Sequence, residues 1–208
     1  MKIYEFNGFP NPARVRIALK EKGLLDNVEF IQVNVPEGEH RTPEFLKKNP
    51  SGAVPVLELE DGTFISESNA ITEYLDHLTG ETTLTGATAK QRAIISMLNR
   101  KVEAGLLEGI GAFFHHATDG LGPVLETYQN KEWGEKQKER ALETLRWMET
   151  VLEGQDYLAG DKISVADITA RAGFLFAGFV GIDIPEDCPN VKAYANRLSD
   201  RTDAALAA

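Results

Sequence analysis

The stretch Asn49–Leu75, NPSGAVPVLELEDGTFISESNAITEYL, predicts a bend, two strands joined by a tight turn, and a helix. In its first half leucine alternates with glutamate, which is the period of a half-buried strand. Asp61-Gly62 is typical of a two-residue hairpin turn, because both residue types tolerate a positive φ. A helix is expected from Ser66 or Glu67 onward, since apolar residues then recur at helical spacing.

Both joints of this stretch offer polar groups that suit a small peptide ligand. Val54 precedes Pro55, and a cis peptide bond there would turn the N–H and C=O of Val54 toward a ligand. At the helix start, free main-chain N–H groups attract anions, Ser68 adds a hydroxyl, and Glu67 adds a carboxylate that could hold an ammonium. Helix capping by Glu67 and Ser68 is the alternative. The pattern favours a peptide with a free α-amino acid end.

The series N-P-x-G-x-V-P-V-L, D-G and E-S-x-A-I-x-x-Y-L resembles the glutathione-binding half of the cytosolic glutathione transferases. The resemblance extends over nearly the whole chain. It implies that Glu67 and Ser68 hold the γ-glutamyl group and that Val54, before a cis Pro55, pairs with the cysteinyl backbone. His40, in G-E-H-x-x-P-E-F, matches a position that binds the glycyl carboxylate, with a simple loop histidine as the alternative. Glutathione would be a co-substrate, and no cofactor or metal is expected.

Charge and cysteine content limit the possible partners. The 208 residues include 22 Lys and Arg against 32 Asp and Glu, a formal net charge of −10. Nucleic-acid binding needs a basic surface and is therefore not expected. No apolar run approaches a membrane span, and Met1-Lys2 leads directly into a strand pattern, so no signal peptide is expected. The single cysteine, Cys188, excludes an internal disulfide and fits a cytoplasmic protein.

Residues 1–80 are predicted to form a thioredoxin-like α/β domain that binds glutathione. Lys2–Phe6 and Val28–Val33 have strand patterns on either side of a helix. Such a βαβ unit makes the two strands parallel, with a right-handed crossover. Pro12 is expected at the first position of the helix and Arg14 on its solvent-facing side.

Residues 88–208 are predicted to form an all-helical domain that holds the second substrate. The fold class is thus α/β plus all-α, as in the glutathione transferase fold. Ser164 and Asp167 form a capping box, which we assign to folding and not to substrate binding. Apolar periods and breaks predict three further helices, at about Ile94–Phe114, Trp133–Leu152 and Val191–Leu198.

The group that activates the glutathione thiol has several candidates. The loop NGFPNPAR after the first strand lacks the Tyr, Ser or Cys that most classes of the family use. Asn11 could donate its amide N–H to a thiolate, or it could be an N-cap before Pro12. His115, His116 and Thr118 form a second set, in which one histidine takes the thiol proton directly or through a water. Ordinary surface or packing histidines are the alternative.

The resemblance implies an enzyme that conjugates glutathione to small hydrophobic electrophiles in detoxification, as a homodimer. An apolar electrophile pocket is expected from Phe9, Phe113, Phe114 and Leu121. The lack of a Tyr, Ser or Cys in the first loop keeps two other classes open. One is a non-catalytic glutathione-binding or regulatory protein of the same fold. The other is a glutathione-dependent isomerase, dehalogenase or peroxidase.

Overall fold

The computed structural model describes residues 1–207 and divides into two compact units. The first unit comprises Met1–Thr82 together with the C-terminal residues from Thr202 onward. The second unit comprises Thr83–Arg201. Ala208, the last residue of the predicted helical domain, lies outside the described residues.

A four-stranded sheet with the order β2-β1-β3-β4 forms the centre of the first unit. Strands β1 (Lys2–Glu5) and β2 (Glu29–Gln32) are parallel, as the βαβ pattern predicts. Strands β3 (Val56–Glu58) and β4 (Phe64–Ser66) complete the sheet in antiparallel pairs. This mixed sheet is the thioredoxin-like arrangement expected from the sequence.

Three α-helices accompany the sheet in this unit: α1 (Pro10–Glu21), α2 (Pro43–Leu46) and α3 (Ser68–Leu78). Successive side chains of a strand point to opposite faces. Leu57 therefore joins the larger core with α1 and α3, whereas Val56 packs with Phe45 of α2. The fully buried side chains of the larger core are Ile3, Val15, Leu19, Leu57, Ile71 and Leu75.

Helix α1 begins earlier than the sequence predicts. Pro10, not Pro12, takes the first helical position, and Phe9 is the N-cap. Proline is accepted anywhere in the first turn because the first N–H groups of a helix have no intrahelical partner. Asn11 consequently lies inside the first turn and is not an N-cap. Arg14, expected to face solvent, is only 3% exposed.

The hairpin between β3 and β4 forms at Asp61-Gly62 as predicted, with a different backbone conformation. Gly62 has a φ of 83°, but Asp61 is not among the described residues with positive φ. The Asp61 carboxylate instead accepts the N–H of Thr63 at 2.9 Å. This side-chain bond lowers the pKa of Asp61 and stabilises the turn.

The second unit begins with one long helical stretch that has an irregular centre. Helix α4 (Ala89–Val102) continues through a π-helical segment (Glu103–Leu107) into α5 (Glu108–Ala117). A Cβ on Gly105 would lie 2.2 Å from Thr144 Oγ1, so only glycine allows the following long helix to approach this closely. The sequence predicts the long helix but not the π-helical segment.

Three helices complete the described chain: α6 (Lys131–Val151), α7 (Val165–Phe179) and α8 (Pro189–Leu206). Helix α8 extends well beyond the predicted end at Leu198. Thr202 and Ala205 are fully buried, and alanine has the highest helix propensity, so the Ala-rich end continues the helix. Within residues 1–207, no helix is both long and apolar enough to cross a membrane.

The predicted capping box opens α7. The Asp167 carboxylate accepts the Ser164 N–H at 2.7 Å, the Leu158 N–H at 2.9 Å and the Tyr194 hydroxyl at 2.6 Å. Complete burial raises the pKa of Asp167, while these donors act in the opposite direction. Asp167 thus joins three segments of the helical unit, which agrees with its assignment to folding.

Candidate functional site

The bend before β3 is fixed by a buried amide. The peptide bond between Val54 and Pro55 is cis. Just before it, the Asn49 side chain donates to the Ala53 carbonyl at 2.8 Å and accepts the Ser51 N–H at 3.1 Å. Asn49 is 2% exposed, so the bend that carries Val54 is anchored from inside the unit.

Glu67 has an unusual backbone at the junction of β4 and α3. Its φ is 69° and its ψ is 119°, and it is the one non-glycine residue with positive φ among residues 1–207. Such strained residues cluster at binding sites. The exposed Glu67 side chain makes no capping hydrogen bond to α3. The capping alternative therefore does not explain this residue.

Ser68 connects the start of α3 with the start of α1. It is 5% exposed, and its hydroxyl donates to the main-chain carbonyl of Asn11 at 3.2 Å. The two residues are 57 positions apart in the chain. The structure thereby brings a residue predicted for the γ-glutamyl group together with one predicted for the thiol.

A buried arginine links the same two helix starts. The Arg14 guanidinium donates to Asn11 Oδ1 at 3.0 Å and to Asn69 Oδ1 at 2.5 Å. Sequence reasoning assigned no function to Arg14 or Asn69. The sequence feature that could have indicated a role for Arg14 is its place in the P-N-P-A-R segment, close to Asn11. Its charge instead suggested a solvent-facing position.

His40 is a nearly buried histidine in the short 3-10 helix Glu39–Arg41. Burial, followed by the neighbouring Arg41 charge, lowers the pKa of His40 below its usual value. Within residues 1–207, its Nδ1 is a buried polar atom without a hydrogen-bond partner. An unpaired buried polar atom costs free energy, and a water or a ligand group that reaches Nδ1 would remove this cost.

The end of α5 brings His115 together with the loop that follows it. His115 Nδ1 lies 2.6 Å from Glu126 Oε1, and the Leu121 N–H donates to the same oxygen at 2.8 Å. Burial raises the pKa of Glu126, but the Leu121 and His115 hydrogen bonds outweigh it and the net pKa is lowered. His115 therefore has a definite partner in the loop.

His116 and Thr118 are also bonded within this region. His116 Nδ1 accepts the Asn130 N–H at 3.2 Å, which leaves Nε2 as the protonated nitrogen of a neutral ring. Thr118 Oγ1 donates to the Phe114 carbonyl at 2.6 Å and accepts the Gly120 N–H at 3.0 Å. The three candidates lie close together, and each also has a structural role at the end of α5.

The predicted apolar candidates of the helical unit differ in their surroundings. Phe113 is 8% exposed, and the Lys138 ammonium lies 4.8 Å from the centre of its ring. Phe114 packs edge-on against Phe176 at 5.4 Å and Phe179 at 5.9 Å between ring centres. Phe179 is 75% exposed. Sequence reasoning missed Phe176 and Phe179 because they lie far along the chain, in α7.

The two remaining residues predicted for the electrophile pocket, Phe9 and Leu121, lie in different parts of the chain. Phe9 is the N-cap residue of α1 and packs edge-on against Phe6, with 4.6 Å between ring centres. Leu121 is half-buried in the loop after α5.

Residues 1–207 contain no group of three or more His, Cys, Asp or Glu side chains that could hold a metal ion.

Two family descriptions match the chain. "Glutathione S-transferase, N-terminal domain" matches residues 10–78. "Glutathione S-transferase, C-terminal domain" matches residues 109–202. The first match includes α1 to α3, and the second runs from the second residue of α5 into α8.

Individual proteins give the same result over almost the whole chain. Glutathione S-transferase 2 of Saccharomyces cerevisiae is 51% identical over 97% of this chain and 86% of that protein. The crystal structure of Gtt2 from Saccharomyces cerevisiae has a TM-score of 0.96 at 49% identity, covering 99% of this chain and 100% of that one. A glutathione S-transferase domain-containing protein of Marinobacter aquaeolei VT8 has a TM-score of 0.95 at 54% identity, covering 97% and 98%. The chain belongs to the glutathione S-transferase family.

Proposed function

We propose that this protein is a glutathione transferase. Residues 1–80 bind glutathione as co-substrate, and residues 88–208 supply the apolar surface for the electrophile. The observation that carries the proposal is the pair Glu67 and Ser68 at the start of α3, a strained non-capping carboxylate beside a hydroxyl. The carboxylate suits the γ-glutamyl ammonium, and the first N–H groups of α3 suit the γ-glutamyl carboxylate. Ser68 would add a donor by turning its hydroxyl from the Asn11 carbonyl to the ligand. Family membership supports the same activity.

The rest of glutathione would bind along the first unit. Val54 directly precedes Pro55, and the peptide bond between them is cis. The buried Asn49 side chain fixes the bend that carries Val54. The main chain of Val54 would pair with the cysteinyl backbone of glutathione. His40 would bind the glycyl carboxylate, and its unpartnered buried Nδ1 supports this role. A carboxylate next to an imidazole favours the protonated ring, so binding would draw a proton onto His40.

Stabilisation of the thiolate is proposed to be shared among several donors. Residues 7–27 contain no Ser, Thr, Tyr or Cys, so no hydroxyl or thiol is available in the first loop and helix. The donors would be the Asn11 amide, main-chain N–H groups at the start of α1, and a water held by His115, His116 or Thr118.

The electrophile is proposed to be a small hydrophobic molecule. The cluster of Phe114, Phe176 and Phe179 supports this, because it combines edge-on ring packing with partial exposure. Phe9, Phe113 and Leu121 remain further candidates for this surface.

We also propose a cytoplasmic homodimer with a detoxification role. Leu78 of α3 and Ile94 and Met97 of α4 are large apolar side chains that are 47%, 39% and 52% exposed. Ile94 and Met97 are three residues apart and so share one face of α4, and a contiguous exposed apolar patch is typical of a protein interface. The single, fully buried Cys188 suits a reducing compartment. Light scattering should give twice the chain mass of 22.9 kDa, and a monomer mass would contradict the dimer.

The test combines calorimetric titration with glutathione and a conjugation assay with a reactive aryl halide. Ser68→Ala should weaken glutathione binding by about 1.5–3 kcal/mol, since it removes a hydrogen bond to a charged group. Ser51→Ala, an exposed serine of the same unit, is the matched control and should bind normally. Glutathione binding without conjugation would instead indicate the non-catalytic alternative. Turnover of isomerase, haloalkane or peroxide substrates alone would indicate the other enzymatic class.

A further inference from the structure

The Arg14 guanidinium is an almost buried cation in α1, three residues after Asn11. It is 3% exposed and donates through two different nitrogens, to Asn11 Oδ1 at 3.0 Å and to Asn69 Oδ1 at 2.5 Å. Asn69 lies 55 residues further along the chain, in α3. One planar group therefore connects the side chains at two helix starts.

This arrangement determines which way the Asn11 amide points. A guanidinium has five N–H donors and no acceptor, so any carboxamide that faces it must present its oxygen. The amide nitrogen of Asn11 then points away from Arg14. Asn11 is an exposed residue and the guanidinium is almost buried. The two N–H donors of Asn11, which point away from the guanidinium, therefore point toward the exposed side.

A second contact fixes the backbone of the same residue. The Ser68 hydroxyl donates to the Asn11 main-chain carbonyl at 3.2 Å. In the free protein Asn11 is thus restrained through its side chain by Arg14 and through its main chain by Ser68, and the Arg14 restraint does not use a donor that glutathione needs. Donors that are held in place before charge develops stabilise an anion better than mobile ones, because they need no reorganisation.

We infer that Arg14 is a positioning residue that holds the Asn11 amide with its N–H donors toward the glutathione sulfur. The inference rests on the proposed function and assigns a task to a side chain that does not itself touch the substrate. In this arrangement Asn11 is the donor and Arg14 fixes its orientation. Asn69 is the second anchor of the guanidinium.

Asn11→Ala is the decisive variant, because it removes the amide N–H donors without placing a new charge near the sulfur. The pKa of bound glutathione is read from the ultraviolet absorbance of its thiolate in the binary complex, which requires no electrophile. We expect this pKa to rise by roughly one, so that the thiolate fraction at a fixed lower pH falls about tenfold. An unchanged thiol pKa would overturn the inference.

A double-variant cycle tests whether Arg14 acts through Asn11. Arg14→Lys keeps the charge but lacks the planar fork that holds both amides. It should raise the thiol pKa in the otherwise unchanged protein and have no further effect when combined with Asn11→Ala. An effect of the same size in both backgrounds would contradict the positioning role.

Arg16→Lys is the matched control on the same helix, since Arg16 bonds to Glu5 and not to Asn11. It should lower the melting temperature without changing the thiol pKa. Failure of the proposed function has a separate signature, namely that the unsubstituted protein does not bind glutathione in calorimetry. With glutathione bound, a change of the thiol pKa on substitution of Arg14 or Asn11 tests the positioning role and not glutathione binding.

Discussion

Arg16 of α1 and Glu5 of β1 form a buried ion pair, in which the Arg16 Nε lies 3.0 Å from both carboxylate oxygens. The Gln32 side chain donates to the same carboxylate at 3.0 Å. The Phe30 ring centre lies 3.9 Å from the guanidinium carbon. Two parallel strands and the helix between them therefore meet at one set of charged and polar groups.

Arg16→Met should destabilise the protein by about 3–5 kcal/mol, because it leaves the Glu5 carboxylate buried without its cation. Urea unfolding measures the loss. The double variant Glu5→Leu with Arg16→Met should recover most of it, since no buried charge then remains. Lys136→Met, which breaks the exposed pair with Glu139, is the control and should change stability little. A small loss in Arg16→Met alone would mean that Glu5 finds another partner.

Glutathione binding should depend on pH through His40. Burial and Arg41 lower the pKa of this imidazole in the free protein, so it is neutral above the usual histidine value of about 6.5. A bound carboxylate raises the pKa, so the complex holds more protons than the free protein across the range between the two values. Affinity should therefore increase as the pH falls through that range, and titration in buffers of different ionisation enthalpy should detect proton uptake.

His40→Asn is the matching variant, because asparagine keeps a polar side chain but does not titrate. It should remove both the proton uptake and the pH dependence of glutathione affinity over this range. His77→Asn changes an exposed histidine of the same unit and should leave both unchanged. Equal pH dependence in the His40 variant and the unsubstituted protein would exclude His40 from the carboxylate site.

The aromatic cluster should determine how well the protein handles aromatic electrophiles. Phe179→Ala removes a 75% exposed ring whose centre lies 5.9 Å from that of Phe114. Full burial of a phenylalanine contributes about 1.5–3 kcal/mol, so kcat/KM for an aryl halide should fall by about tenfold or more. Glutathione affinity should not change. Val124→Ala, at a residue 84% exposed in the same unit, is the control. Equal losses with a small alkyl halide would argue against ring recognition.

Asp167→Asn should destabilise the helical unit although the two side chains have almost the same shape. The carboxylate oxygens accept main-chain N–H groups on both sides, from Leu158 and from Ser164. An asparagine must therefore turn its NH2 group toward one of these donors. A buried donor left unpaired costs about 1–3 kcal/mol, which thermal unfolding would detect. Tyr194→Phe, which removes a single donor, should cost less, and a reversed order would contradict this explanation.

Local patterns in the sequence predicted those parts of the fold that local interactions determine. The parallel β1–β2 pair, the Asp61-Gly62 hairpin and the Ser164-Asp167 box each follow from residues close together in the chain. The first helical residue was predicted wrongly at Pro12, because Pro10 suits a first turn equally well. The glutathione transferase resemblance then supplied the family, which the comparisons confirm.

The remaining features depend on contacts between distant residues. Arg14 was expected to face solvent because a charge on a helix is normally hydrated. Its burial requires two amide oxygens, one of which comes from Asn69 in another helix. Phe176 likewise gains its place beside Phe114 only when α5 and α7 pack together. No periodicity within a single helix contains this information.

The π-helical segment Glu103–Leu107 is a place where this helical stretch can change its length. A π turn takes up one residue more than an α turn, whereas in a regular α-helix each added residue rotates everything after it by about 100°. Deleting one residue from the segment would therefore restore a regular helix and leave Phe114 and His115 facing as they do now. The same deletion within α5, before Phe114, would rotate both side chains by about 100°. A length change is thus tolerated in the segment but would alter the selectivity of the protein a few residues later.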